Sequence, residues 1–475
     1  MKKFLSIILS FAMVVSLMAM PVGAAPTTNS SSGSQWSDVP TDFWAKSYLE
    51  RAMELGLISG YQDGSVRPNA SLTRGQFVTI VMRALGLDNV TGSSLTDCKD
   101  VNQKTWCYQA LSAANALGVI QGNNGKMSPD APLTRQQGAA MLQRALELST
   151  DNNRNITTSD AASISGYAYS AMQTLFANGV LQGKNGKADP QGPLTRAQFA
   201  AMMLRIATDY VHGSANDRTW NGNVVITGND SKLSNCTING NLLFAKNLNS
   251  NKITLSNVTV SGDLRLPDTC TSLAIEGSSK ISGTVYVNSE KQALAIKASL
   301  ASNIENVKVV NSGTKLSLEG KFGTVTVADE GCTVDMTKGS AKQINLNAPS
   351  IKFNLGADAS VNRLVSDASR QNLQLKGEVT DLNLTENGTN GTINISEDVD
   401  TITVSGDKAK ITVNSGAKVK EVNASGEDMD LTGSGTVDKV NLNKGVKDAD
   451  ISTRNTTVNN KSGSSVTVGG KSLSS

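Results

Sequence analysis

Leu72-Thr73-Arg74, Leu133-Thr134-Arg135 and Leu194-Thr195-Arg196 stand 61 residues apart both times. Around them more landmarks keep register. Leu55-Gly56-Leu57-Ile58-Ser59-Gly60 matches Leu117-Gly118-Val119-Ile120-Gln121-Gly122 and Asn178-Gly179-Val180-Leu181-Gln182-Gly183, and an aromatic (Trp44, Trp106, Tyr167) stands twelve residues before each first glycine. Each repeat reads as helix, glycine loop, helix. Thr73 with Gln76, Thr134 with Gln137, and Thr195 with Gln198 form the T-x-x-Q capping box, in which both side chains satisfy amides that a helix start leaves orphaned. The spacing therefore predicts a helix from each threonine, with Phe77, Ile80, Val81, Ala84 and Leu85 forming one buried face in the first repeat. The preceding helix ends at a glycine suited to a left-handed C-terminus.

Arg74, Arg135 and Arg196 occupy the first helical position, where the helix dipole disfavours a cation. Amides and a planar guanidinium together suit a carboxylate or phosphate. The competing reading ties each arginine to an acid of a neighbouring repeat, such as Asp38, Asp100 or Asp160. The aromatics at 44, 106 and 167 are likewise either core residues or sugar platforms.

Ser37-Asp38-Val39 leading to Trp44-Ala45, then Gly60-Tyr61-Gln62-Asp63-Gly64, Arg67-Pro68 and Leu72-Thr73-Arg74, resembles an S-layer homology repeat, and the chain carries three over roughly residues 36 to 212. The resemblance implies one pseudo-threefold helical unit that binds cell-wall polymer noncovalently, commonly an acidic polysaccharide bearing pyruvyl ketals. It also maps the family's signature arginine onto Arg74, Arg135 and Arg196. The acid that usually follows is absent, replaced by Gly75, Gln136 and Ala197, and the third repeat has Asp160-Ala161 and Tyr167 where the first has Asp38-Val39 and Trp44.

From about Asn221 the hydrophobic period falls to two, as in Ile253-Thr254-Leu255 and Ile344-Asn345-Leu346, which is strand patterning. The anchors Leu364, Leu373, Leu382, Ile393, Ile402, Ile411, Val422, Leu431 and Val440 step by 9, 9 and 11, and Gly377, Gly406 and Gly435 recur at 29. This predicts a parallel β-solenoid with 29-residue, three-strand coils, about nine in all, in which Leu373, Ile402 and Leu431 stack. A β-sandwich would alternate similarly but has no need of a fixed period. An outer-membrane barrel would need aromatic girdles, which are missing.

Composition narrows the function. The 475 residues carry Lys plus Arg 44 against Asp plus Glu 41, a net charge of +3, so the chain is no generic nucleic-acid binder. A single histidine, His212, argues against Ser-His-Asp or His-ligated metal chemistry, and no cofactor or metal is expected. In the β region the acids Asp381, Glu397, Asp398, Asp400 and Asp407 are scattered, and Tyr286, Phe322 and Phe353 make no sugar-stacking track. A non-enzyme is expected; the alternative is a wall-anchored β-helix polysaccharide lyase or hydrolase. Cys98 and Cys107 are spaced for a disulfide, with two buried thiols equally consistent, while Cys236, Cys270 and Cys332 are scattered.

Met1-Lys2-Lys3, the apolar run Phe4 to Met20 and Pro21-Val22-Gly23-Ala24 read as a secretory signal peptide, and no later run is long enough for a transmembrane helix. The expected organisation is signal peptide 1–24, linker 25–35, repeats 36–93, 95–156 and 157–212, linker 213–220 and rod 221–475: an all-α unit followed by an all-β one. The expected whole is a secreted bacterial surface protein held to acidic cell-wall polysaccharide, whose rod serves as spacer, S-layer-type lattice subunit or adhesin. Self-association or a surface protein partner fits that reading.

Overall fold

The structure is a computed structural model that describes residues 36–88, 90, 92–149, 155–247, 249–289 and 293–475. The expected signal peptide, 1–24, and linker, 25–35, lie outside them. Two compact units emerge: residues up to His212 with Val225–Gly228, and Gly213–Val224 with Asn229–Ser475.

The described residues of the first unit form six α-helices, two per repeat: α1 Lys46–Glu54 and α2 Arg74–Ala84, α3 Tyr108–Ala116 and α4 Arg135–Leu146, α5 Gly166–Ala177 and α6 Arg196–Ile206. It is not wholly helical. Ala161–Ser163 is a 3-10 turn, and after α6 the backbone turns extended at Ala207 and enters the strand Asp209–His212. Each of α1, α3 and α5 is followed by a left-handed glycine, Gly56, Gly118 or Gly179, at φ 68, 70 and 68°. At α2, α4 and α6 the threonine side chain accepts from the glutamine amide and the glutamine side chain accepts from the threonine amide.

The repeats close into a ring through their backbones. Leu133 N–H donates to Leu72 O (2.9 Å), Leu194 to Leu133 (2.8 Å) and Leu72 to Leu194 (2.9 Å), and all three side chains are buried. Beside this ring the equivalent positions of α2, α4 and α6 hold Phe77, Gly138 and Phe199. The two phenylalanines meet edge to face at 5.3 Å. A Cβ on Gly138 would lie 2.6 Å from Leu194 Cδ2, so the third position has room only for hydrogen.

The second unit is a parallel β-solenoid of about 12 turns, roughly 55 Å long at the spacing of β-strands. Each coil points three sets of apolar side chains inward. The first ladder stacks Phe353, Leu373, Ile393, Ile411, Leu431 and Ile451. A second stacks Val361, Val379, Val399, Val419 and Val437, and a third Leu364, Leu382, Ile402, Val422, Val440 and Val458. These residues are almost all buried, each contributing about 1.5 to 3 kcal/mol of hydrophobic stabilisation. Outward positions are satisfied laterally, as in the amide stack Asn423–Asn441–Asn459 at 2.8 and 2.9 Å. The last strand, Lys471–Leu473, folds back antiparallel on Val466–Val468.

Three expectations change. The coil is 18 to 20 residues in this region, not 29, because successive anchors fall alternately on the first and third ladders. Leu373 therefore stacks between Phe353 and Ile393, Ile402 between Leu382 and Val422, and Leu431 between Ile411 and Ile451. The solenoid also starts inside the stretch expected to be linker, since Ala215 pairs with Leu233 and Thr219 with Thr237.

Candidate functional site

The three arginines are built into the junctions between repeats. Arg74 Nε donates to Met127 O (3.0 Å) and Nη2 to Gln121 O (3.4 Å), both in the second repeat. Arg135 repeats the pattern on Ala188 O (2.9 Å) and Gln182 O (3.3 Å) of the third. Arg196 closes the cycle on Val66 O (2.8 Å) and Ser59 O of the first. The helix-start amides are engaged as well: Arg74 and Gly75 donate to Ala131 O and Pro129 O, Arg135 and Gln136 to Gly192 O and Pro190 O, Arg196 and Ala197 to Ala70 O and Pro68 O. The anion pocket expected at those amides is therefore filled by protein carbonyls.

The acids sit one peptide further out. Asp38 accepts from the Val66 and Arg67 amides, Asp100 from Met127 and Ser128, and Asp160 from Ala188 and Asp189, at 2.7 to 2.9 Å. Each acid fixes the loop whose carbonyl receives the arginine of the preceding repeat. Burial raises the Asp100 and Asp160 carboxyls, but the amide bonds outweigh it and hold both below the usual carboxylate value. Burial in turn lowers all three guanidinium groups from the ordinary arginine value. Arg135 and Arg196 are only 7% and 8% exposed. Nη1 of each arginine has no hydrogen-bond partner among the described residues and is not among the atoms sealed from solvent.

The aromatics lie on the outside. Trp44, Trp106 and Tyr167 are 54%, 42% and 55% exposed, too much for core residues. Trp106 belongs to the second repeat yet its edge meets the start of α2, where a Cβ on Gly75 would lie 3.1 Å from Cζ2. Tyr167 of the third repeat interacts correspondingly with Gln136 at the start of α4. Trp44 packs against Phe43 and Tyr48, with ring centroids 5.9 and 6.5 Å away. The residue after each capping-box arginine is thus neighbour to an exposed ring in two junctions.

The disulfide between Cys98 and Cys107 is not formed; both are free thiols, as are Cys236, Cys270 and Cys332. Cys107 Sγ faces Gly75 whereas Cys98 Sγ faces Gly122, so the two sulfurs pack against different segments. In the solenoid the carboxylates are occupied locally: Asp381 with Arg363 (3.4 Å), Asp400 with Lys420 (2.5 Å), Asp398 on the Lys418 amide (2.9 Å) and Asp407 on the Glu427 amide (2.8 Å). Phe322 and Phe353 are buried, and Tyr286 lies beneath the Arg265 guanidinium at 4.2 Å. Among the described residues no three His, Cys, Asp or Glu side chains are grouped to hold a metal ion, and no helix is long and apolar enough to cross a membrane.

Residues 37–78, 99–138 and 157–200 match the S-layer homology domain. The chain carries three S-layer homology domains. It is accordingly a secreted, wall-anchored protein of the cell surface. An endoglucanase of Bacillus sp. (strain KSM-635) is 29% identical over 56% of this chain and 30% of its own length. The surface-layer 125 kDa protein of Lysinibacillus sphaericus is 30% identical over 34% of this chain and 14% of its own, and S-layer protein EA1 of Bacillus anthracis 26% over 55% and 28%. The chain spans less than a third of the length of these relatives.

Sequence reasoning missed two features of the S-layer homology junctions. One is that the arginine acceptors are carbonyls, which leave no residue-type signal. The other is the residue following each acceptor, Arg67, Ser128 or Asp189, which a strict alignment of the three loops brings into one column.

Proposed function

We propose that the helical unit holds an acidic wall polysaccharide in the grooves between its repeats, and that the solenoid is a non-catalytic spacer, lattice subunit or adhesive surface. The observation that carries this reading is the exposure of Trp44, Trp106 and Tyr167 at equivalent positions of three repeats. A ring left in water on an otherwise well-buried helical unit costs stability and suits stacking on a sugar face. The free Nη1 of each junction arginine adds a fixed donor for an acidic substituent. Three grooves on one unit act multivalently, so modest affinity in each still gives firm retention. The S-layer proteins among the relatives favour a lattice or display role for the solenoid, and its locally paired carboxylates favour the non-catalytic one.

The test is sedimentation of the full chain with protein-free bacterial walls, before and after the acidic polysaccharide is stripped by hydrofluoric acid. Retention on native walls and its loss on stripped walls is expected. Equal retention on both would refute the polysaccharide reading. Incubation of the same protein with wall and plant polysaccharides should release no reducing or unsaturated sugar ends; their release would make the solenoid a lyase or hydrolase instead.

A further inference from the structure

The residue after each arginine-accepting carbonyl is held in the same way in all three repeats. Arg67, Ser128 and Asp189 have φ of 52, 52 and 50°, a left-handed conformation that side-chain-bearing residues adopt only under constraint. The constraint is the bond from each amide to Asp38, Asp100 or Asp160. One backbone position thus carries a cation in the first repeat, a hydroxyl in the second and a carboxylate in the third. Because the preceding carbonyl binds the junction arginine, this residue stands beside that arginine each time.

The consequences differ by junction. Where the third repeat meets the first, the Arg67 guanidinium lies 4.0 Å over the Tyr61 ring and Arg196 lies 5.1 Å from the same ring. Two guanidinium groups share one aromatic platform. Arg67 is half exposed and tied on its outer side to Asp63 at 2.9 Å and to Ser65. Where the second repeat meets the third, Asp189 is the carboxylate that acts most strongly on Arg135, ahead of Asp160. Lys184 and Lys187 of that loop face each other across its turn and are exposed; the cation that acts on Arg135, more weakly than the two carboxylates, is Arg205, which is held at Val180 O and over the Tyr48 ring. At the remaining junction Ser128 is neutral, and Asp100 is the carboxylate acting on Arg74.

We propose that this one position ranks the three grooves: the third-to-first groove, with Arg67 beside Arg196 on Tyr61, is the primary site for an acidic sugar substituent, the first-to-second groove is secondary, and Asp189 makes the second-to-third groove supply its own anion. The proposal rests on the polysaccharide reading above. The Arg67–Asp63 pair is exposed and screened by water, so it offsets only part of the repulsion between Arg67 and Arg196 and an anion between the two cations is favoured, whereas a carboxylate beside the arginine repels an incoming one.

Serine is native at this position in the second repeat, so Arg67→Ser and Asp189→Ser leave a backbone that the fold already accommodates. Retention of full-chain protein on native and polysaccharide-stripped walls is measured for both, and for Asp189→Arg. Arg67→Ser is expected to weaken binding to native walls about tenfold, and Asp189→Arg to strengthen it by a similar factor, with Asp189→Ser between Asp189→Arg and the parent. If the parent binds native but not stripped walls and the three variants bind as it does, the ranking is overturned while the polysaccharide reading stands. If the parent binds both wall preparations equally, that reading fails and the ranking falls with it.

Discussion

Replacing Arg135 by alanine separates a structural tie from a ligand contact. The side chain is nearly buried and gives two charge-assisted hydrogen bonds to carbonyls of the next repeat, at 2.9 and 3.3 Å. Such bonds contribute about 1.5 to 3 kcal/mol each, and their loss leaves two carbonyls in need of partners. Allowing for water entering the gap, the expected loss is about 3 to 5 kcal/mol. For a unit of this size each kcal/mol moves the melting point by roughly 2 to 4 °C, so the helical signal at 222 nm should melt on the order of 10 °C earlier. Arg135→Lys should recover only part of this, because an ammonium cannot address both carbonyls as the planar fork does. Circular dichroism of the full chain follows the transition, with wall sedimentation at a temperature where the variant is still folded. An unchanged melting point together with lost wall binding would refute the structural role and return Arg135 to the ligand.

Trp106→Ala, at an exposed position, should leave the melting point within about 2 °C while lowering wall retention several-fold. Gly138→Phe should destabilise the helical unit by about 1 to 3 kcal/mol or more, measured by denaturant titration, because the added ring meets Leu194 and Phe77. Ile402→Asp places a carboxyl between Leu382 and Val422 and should expose the solenoid to limited proteolysis; unchanged resistance would contradict the stacking. Burial pushes the Cys107 and Cys270 thiols up to about 11 and about 12, so at pH 8 both stay protonated and escape iodoacetamide until the chain is denatured, as peptide mass spectrometry would record. Asp100 and Asp160 are held below their unfolded value, so the stability they contribute is present above about pH 4 and lost as pH falls through the lowered value; melting curves between pH 5 and 2 should show it, less steeply in Asp100→Asn.

The helical unit was legible because capping boxes and left-handed glycines are local: Thr73 and Gln76 satisfy each other whatever lies beyond them. The arginines' partners were not, since Val66, Met127 and Ala188 offer only backbone oxygen and lie 53 to 130 residues away. In the solenoid the nine anchors read from the sequence all point inward, yet the second ladder of Val361, Val379, Val399, Val419 and Val437 was missed and the period misread. Leu, Ile and Val serve both ladders alike, so stepping three anchors covers one and a half turns and still lands on an apolar residue. The glycines reinforced the error, for Gly377 and Gly435 precede Val379 and Val437 at one corner while Gly406 packs at another, against Gly388. Gly138 signalled its role only through the phenylalanines at equivalent positions.

The cyclic closure of the repeats also governs when the unit can fold. The first repeat's carbonyls at Ser59 and Val66 wait for Arg196, 137 and 130 residues later, and Leu72 completes its ring only with Leu194. A chain emerging from its N-terminus can join its first repeat to the second through Leu72–Leu133 and Arg74–Met127, but the first repeat's remaining junction stays open until the last helix arrives, and closing it carries a loop entropy cost. For a protein delivered across a membrane this delay is useful. The cycle of junctions can be completed only once the third repeat, with Leu194 and Arg196, has followed the first to the outer side.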